Sequence, residues 1–247
     1  MDKPRICFFD IETSPIIAST WSMYPQSLPL NGIVHDWYII CGAWKFLGDP
    51  KIYSVATTTP HKDIATVKKL RDVLASCDVI VGQNSDKFDI RKLNAKLIQY
   101  KLPPLPNIPT VDKLKASRRV AAFTSHKLDY MARILNGNQK IKVYLGLWMD
   151  VMGGSKKALK EMVTYNKMDV KLNEEVYLRL LPYMKTHPHI GVLKGHLRGL
   201  SCPKCGSQNI KKNGIRVSTA GIKSHEIQCG KCRSYSRVPV TLGSNNN

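Results

Sequence analysis

Nowhere in this chain do about 18 apolar residues follow one another, so no membrane-spanning helix and no membrane partner is expected. The opening Met1-Asp2-Lys3-Pro4-Arg5 leads into only a short apolar stretch, Ile6 to Phe9, which Asp10 interrupts. That is too short for the apolar core of a secretory signal, and a soluble, unexported protein is the expectation. Acid is scarce as well. Against 38 Lys and Arg stand 18 Asp and Glu, giving a formal charge of +20 and a pI near 9.7. The shortage is sharpest in residues 183–247, where Glu226 is the only acid beside 11 basic residues. A charge of this size points to a polyanionic partner, of which nucleic acid is the commonest. A disulfide framework is also missing: the seven cysteines are odd in number, and Cys7, Cys41 and Cys77 are scattered in apolar surroundings as buried thiols. No internal repeat is evident, and the histidines of residues 1–185 show no HExxH or other ligand spacing.

What is present suits one medium α/β domain with a small module behind it. Arg5 to Asp10 reads as a buried central strand, with Ile39 to Phe46 and Lys51 to Ala56 as further strands about the turn Leu47-Gly48-Asp49-Pro50. Ile64 to Leu74 has helical spacing, Asp78 to Gly82 is a short strand, and Phe88 to Tyr100 is helical. Pro103, Pro104, Pro106 and Pro109 make a stiff loop. Ser125 can cap a helix closed by Asn136-Gly137, and Leu159 to Leu181 reads as a helix ending before Pro182. The order β-β-β-α-β-α-α-α predicts a mixed sheet flanked by helices. Residues 1–185 are the expected main domain, 186–200 a linker, 201–240 the module and 241–247 a disordered tail.

Three carboxylate patterns carry the chemistry. In Asp10-Ile11-Glu12-Thr13, residues two apart on a strand face one side, so Asp10 and Glu12 can share a spot. Paired carboxylates repel unless a cation sits between them, and hard oxygen ligands suit Mg²⁺ or Mn²⁺. The second pattern, Asn84-Ser85-Asp86-Lys87-Phe88-Asp89, puts Asp89 in the first turn of a helix. In the third, Tyr165-Asn166-Lys167-Met168-Asp169, residues four apart stack a phenol beside a carboxylate. Asp86 and Asp112 read as turn or cap residues, and His126 as a polar residue at a helix start.

In this order the patterns resemble those of the DEDD exonuclease superfamily, relatives of polymerase proofreading domains, in its tyrosine branch. Asp10 and Glu12 match its Asp-x-Glu motif, Asn84, Phe88 and Asp89 its Asn-x-x-x-(Phe/Tyr)-Asp motif, and Tyr165 and Asp169 its Tyr-x-x-x-Asp motif. Asn166 stands where polymerase relatives often have Cys, a difference read as bearing on subfamily and not on the metal site. The resemblance covers about residues 4–185 and implies an RNase H-like fold. It also implies two Mg²⁺ or Mn²⁺ about 4 Å apart held by Asp10, Glu12, Asp89 and Asp169. Tyr165 would orient the attacking water, and Thr13, Asn84 and Phe88 would contact the terminal nucleotide. The implied reaction is 3′–5′ hydrolysis of DNA to nucleoside 5′-monophosphates.

Cys202-Pro203-Lys204-Cys205 and Cys229-Gly230-Lys231-Cys232 are two C-x-x-C knuckles with 23 residues between them, a spacing that suits one structural Zn²⁺. So small a segment has too little apolar area to fold alone, so metal would supply much of its stability. The module resembles DNA-binding zinc ribbons such as those at transposase termini. Lys211, Lys212, Arg216, Lys223, Arg233 and Arg237 are its expected phosphate contacts, with little base readout. Alternatives are an RNA-trimming exonuclease, a structure-specific endonuclease on the same fold, or an inactive nucleic-acid-binding adaptor. The architecture suits a replication or repair accessory in the cytoplasm of a bacterium or phage-infected cell, with DNA and a replication or repair protein as partners.

Overall fold

A computed structural model describes residues 3–22, 24, 27–137 and 144–239. In chain order they form β1 (Ile6–Thr13), a short arm of β2 (Ile17–Ala18) and β3 (Ile33–His35), β4 (Ile39–Phe46), β5 (Tyr53–Ala56), α1 (Ile64–Ala75), β6 (Val79–Gly82) and α2 (Asp89–Gln99). There follow β7 (Thr110–Asp112), α3 (Lys113–Val120), α4 (Leu128–Asn136), α5 (Leu145–Met152), α6 (Lys156–Leu180), α7 (Ile190–Leu193), β8 (Ile210–Val217), β9 (Lys223–Cys229) and β10 (Tyr235–Pro239). The expected order is present, with the arm, β7, α3 and α5 added to it. The tail expected at 241–247 lies outside the described residues.

The main sheet runs β5-β4-β1-β6-β7. β1 pairs antiparallel with β4 and parallel with β6, so the sheet is mixed, as the sequence predicts. β1 lies at its centre because both of its faces are apolar. Cys7, Phe9 and Ile11 pack under α1 and α2 with Leu70, Leu74, Leu93 and Leu97. Ile6 and Phe8 pack on the other face with Val170, Val176 and Tyr177 of α6, and Met131 and Ala132 of α4. Phe8 is fully buried and meets Tyr177 edge to face at 5.2 Å, a burial worth roughly 1.5–3 kcal/mol by transfer alone. The alternation carries on past Phe8, so Asp10 and Glu12 point to the α6 side at the open end of the strand. A bulge between Glu12 and Thr13 breaks the register with β4 beside them.

Local chemistry sets the helix ends. Ser155 Oγ accepts the Ala158 N–H, which starts α6 one turn before its apolar period does. Gly137 closes α4 at φ +72, the left-handed cap that Asn136-Gly137 predicts. Ser125 Oγ accepts the Lys127 N–H, so it serves the turn leading into α4, whose N-cap is Lys127. Buried Asp63 ties three elements together: its carboxylate accepts the Ile39 N–H of β4 (2.8 Å) and the hydroxyl of Tyr100 at the end of α2, and it caps α1 in sequence.

The stretch 186–200, where the sequence pattern weakens, is anchored on the main core. α7 lies within it, and Ile190 is buried in the same cluster as Phe8 and Tyr177. The Ile190 N–H donates to Pro203 O (2.7 Å), and Lys204 Nζ donates to Pro182 O (2.8 Å). β10, β9 and β8 form a separate antiparallel sheet in that order. His187 latches the stretch to α6: Nδ1 bonds Pro188 O and Nε2 bonds the Tyr177 hydroxyl, both at 2.8 Å. Pro188 O can only accept, so Nδ1 carries a proton, and in the neutral ring Nε2 accepts from the Tyr177 hydroxyl. Burial pushes the His187 pKa down to about 4. The unfolded chain therefore binds a proton there that the folded chain refuses. This penalty is absent above pH 6.5 and grows as pH falls from 6.5 to 4, reaching about 3 kcal/mol. In denaturant titrations over that window, His187→Gln is expected to lose less stability than the wild type on acidification; parallel curves would show that His187 is not the proton acceptor.

Candidate active site and cysteine centre

Asp10 and Glu12 from β1 and Asp169 from the middle of α6 each bring a carboxylate oxygen to within 4.8 Å of the others. Two are half-buried and Asp169 is buried, so water screens their repulsion poorly. The donor set is all hard oxygen, which fits Mg²⁺ or Mn²⁺. They sit on the floor of a cleft of about 700 Å³. Asp89 lines the same cleft but stands outside that tight group. At the first turn of α2, its Oδ1 accepts the Ile11 N–H at 3.0 Å. Burial pushes its pKa up to about 7, against the pull of that N–H, so full ionisation of Asp89 calls for a cation.

The turn before Asp89 is built for close approach. A Cβ on Gly82 would lie 2.3 Å from the Ser85 Cβ, so glycine is required where the chain leaves β6. Asn84 adopts φ +60, a left-handed conformation that asparagine tolerates. One oxygen, Asp112 Oδ1, accepts the N–H groups of Asn84 (3.0 Å), Leu114 (3.0 Å) and Lys115 (3.5 Å). Asp112 thus caps α3 and pins the turn to it, the cap role its sequence position suggests. Asp86 pairs with Lys115 at 2.7 Å. Asn84 and the half-exposed Phe88 line the cleft; Thr13, half-buried beyond the bulge, does not.

Tyr165 lies one turn before Asp169 on α6, buried in a cluster with Leu147, Val151 and Met162 and edge-on to Trp148 at 6.3 Å. It is not among the cleft-lining residues. Asn166 requires a correction. It bears directly on the carboxylates: fully buried, it donates from Nδ2 to Asp10 Oδ2 at 2.7 Å and accepts from Cys41 Sγ at 3.8 Å. The residue after the motif tyrosine therefore orients Asp10.

Sequence reasoning missed Lys113, Arg118 and Lys127. Lys113 is fully buried at the start of α3, and its Nζ has no hydrogen-bond partner among the described residues. Burial drives its pKa down to about 7, while Asp10, Asp112 and Asp169 pull it up. Its amine lies in the field of Asp10, Asp112 and Asp169. The opposite bank of the cleft carries Arg118 and Lys127, both exposed, and His126, whose Nδ1 bonds Ser117 Oγ at 2.9 Å. The only advance signal for Lys113 was Asp112-Lys113 directly after an apolar Val, at the end of a strand too short to read.

The four cysteine sulfurs also lie within 4.8 Å of one another. Cys202–Cys232 and Cys205–Cys229 are each 3.6 Å apart, too long for S–S bonds. A Zn–S bond of about 2.3 Å gives a tetrahedral edge of about 3.8 Å, so the set fits Zn²⁺. Cys205 and Cys232 pack against the main core, and Lys194 Nζ donates to Cys205 O at 3.0 Å. Lys211, Lys212 and Arg216 on β8, Lys223 on β9, Arg233 in the second knuckle and Arg237 on β10 are all exposed. Arg216 is paired with Glu226 at 2.9 Å.

The RNase H superfamily model matches residues 32–181, and the chain belongs to that superfamily. The matched stretch begins after Glu12 and ends before the cysteines. No curated protein matches the chain. A solved family B DNA polymerase from the hyperthermophilic archaeon Pyrobaculum calidifontis is similar with a TM-score of 0.52 and 17% identity, over 72% of this chain and 25% of the polymerase. At that identity the likeness is one of fold, and this chain spans a quarter of the polymerase's length. Among the described residues no helix is long and apolar enough to cross a membrane.

Two outcomes follow from these centres. Removing the buried cation in Lys113→Met leaves the carboxylates to be balanced by metal alone. Thermal melts are expected to show a larger Mg²⁺-induced rise in Tm for this variant, by about 2–4 °C per kcal/mol of lost counter-charge. An equal rise in both proteins would exclude Lys113 from the field of the site. Elemental analysis is expected to find one zinc per chain, and Cys229→Ser plus Cys232→Ser to abolish it; a wild-type chain with free, titratable thiols and no zinc contradicts the assignment.

Proposed function

We propose that the chain is a metal-dependent 3′–5′ exonuclease of the DEDD type, tyrosine branch, that releases nucleoside 5′-monophosphates from DNA. The observation that carries the reading is the convergence of Asp10, Glu12 and Asp169 in a cleft that is also lined by Arg118, Lys127 and Asp129. Membership of the RNase H superfamily supports a phosphodiester as substrate. Asp10, Glu12 and Asp169, with Asp89 beside them, would hold the divalent ions, which supply Lewis-acid stabilisation of the charge that builds on the phosphate.

The residues of the chain do the rest. Asn166 orients Asp10 through its 2.7 Å bond, and the Ile11 N–H orients Asp89. Arg118 and Lys127 offer charge to the strand's phosphates from the far bank, and Asn84 and Phe88 meet the terminal nucleotide. In the same reading Tyr165, one turn before Asp169, orients the attacking water, and its hydroxyl must reach the cleft from a ring packed outside its lining. Residues 1–185 form the nuclease unit and 201–240 a zinc ribbon that adds salt-sensitive affinity, joined by 186–200.

The test is a single-stranded oligonucleotide labelled at one end or the other, with Mg²⁺ or Mn²⁺ added. Mononucleotides are expected from the 3′ end. The double variant Asp10→Ala plus Asp169→Ala removes several kcal/mol of stabilisation, a rate loss of about a thousandfold or more. Persistent cleavage by that variant sinks the site, and internal cuts or a strict preference for RNA would replace the exonuclease reading with one of its alternatives.

A further inference from the structure

A groove of about 540 Å³ lies between the end of α6 and the cysteine module, apart from the carboxylate cleft. Tyr183 and Lys185 come to it from the turn after α6, Lys204 from the first knuckle, and Tyr235 and Arg237 from β10. The rings are open to solvent, with Tyr183 69% and Tyr235 50% exposed. Tyr235 and Arg237 are two apart on a strand and share a face. Glu226 is the one acid lining the groove, and its carboxylate is held within the module by Arg216 at 2.9 Å. Lys204 bridges the two walls through Pro182 O.

Two open rings among cations, with no unanswered acid, fit one class of ligand. Phosphates seek the cations, and unpaired bases stack on aromatic faces. A duplex hides its base faces and could use only the cations. We propose that this groove binds single-stranded nucleic acid, with the backbone on Lys185 and Arg237 and bases against Tyr183 and Tyr235. The proposal deepens the nuclease reading above by naming the strand form that the second binding surface takes. It makes that surface a joint product of the turn after α6 and the module, not of the module alone.

The test is fluorescence anisotropy on the full, zinc-loaded chain without Mg²⁺, Mn²⁺ or chelator, so that binding is read without cleavage. The probes are single-stranded DNA, single-stranded RNA and duplex DNA of one sequence. Tyr183→Ala plus Tyr235→Ala is expected to weaken single-strand binding about tenfold or more, and duplex binding less than twofold. Tyr183→Phe plus Tyr235→Phe keeps the rings and should bind like the wild type. Lys185→Ala plus Arg237→Ala should flatten the salt dependence of single-strand binding by about 1.4 in log–log slope. A loss confined to DNA or to RNA supports the groove and names its strand. Wild-type single-strand affinity in the double alanine variant, with unchanged zinc content and melting temperature, overturns the proposal, as does an equal loss on duplex. Binding with the expected pattern but no cleavage on adding Mg²⁺ supports the groove and removes the nuclease reading alone.

Discussion

Three carboxylates held within 4.8 Å of one another are the arrangement around which the rest of the main domain is organised. Like charges this close, partly out of water, push apart with an energy of several kcal/mol unless something opposes them. The fold opposes them in two ways. It makes their supports stiff: β1 is buried on both faces, and α6 is a 25-residue helix whose apolar side runs along that strand. It also supplies partners before any ion arrives, with the Asn166 amide on Asp10 and the Lys113 amine in the field of Asp10, Asp112 and Asp169, which draw a proton onto it. A buried ammonium without a hydrogen bond is costly by itself. Its presence makes sense only in the field of the acids it faces.

The same logic explains why the cleft has two unlike banks. The carboxylate bank is built from the sheet and α6, whose positions are fixed by the core. The cationic bank is built from α3 and the segment leading into α4, tied back by polar contacts. Asp112 spends one oxygen on three N–H groups, fastening the Asn84 turn to α3, and Gln83 Nε2 donates to His126 O at 2.8 Å. A stiff bank that holds charge and a hydrogen-bonded bank opposite it suit the proposed function, because binding a strand would require adjustment and charge convergence does not tolerate it.

What could be read in the sequence follows from which interactions are local. Asp10 and Glu12 were legible from the two-residue period of a strand, Tyr165 and Asp169 from the four-residue spacing of a helix, and the cysteine centre from its knuckles. Each of these is a pattern within a few residues. Asn166, Lys113 and Ile190 were not, because what they do depends on partners far away in the chain: Asp10 is 156 residues from Asn166. β7 has three residues and follows a proline-rich loop, so no period could form, yet it carries Asp112 to the site and delivers Lys113 beneath it. α7 has four residues, of which Ile190 alone is an apolar side chain buried in the core, which is why its stretch reads as a linker.

That short helix decides how the two centres relate. A Gly or Ser linker would let the cysteine module wander, and its basic residues would add only a loose local concentration of charge. Here a Cβ on Gly191 would come within 1.9 Å of Ser201 Oγ, so the start of the module is pressed directly onto α7. Cys205 and Cys232 then complete the core that Phe8 and Tyr177 begin. α6 thus carries Asp169 in its middle and supports the cysteine centre at its end. A strand that met both surfaces would find their spacing already set, and the ordering cost of bringing them together would have been met in folding rather than in binding.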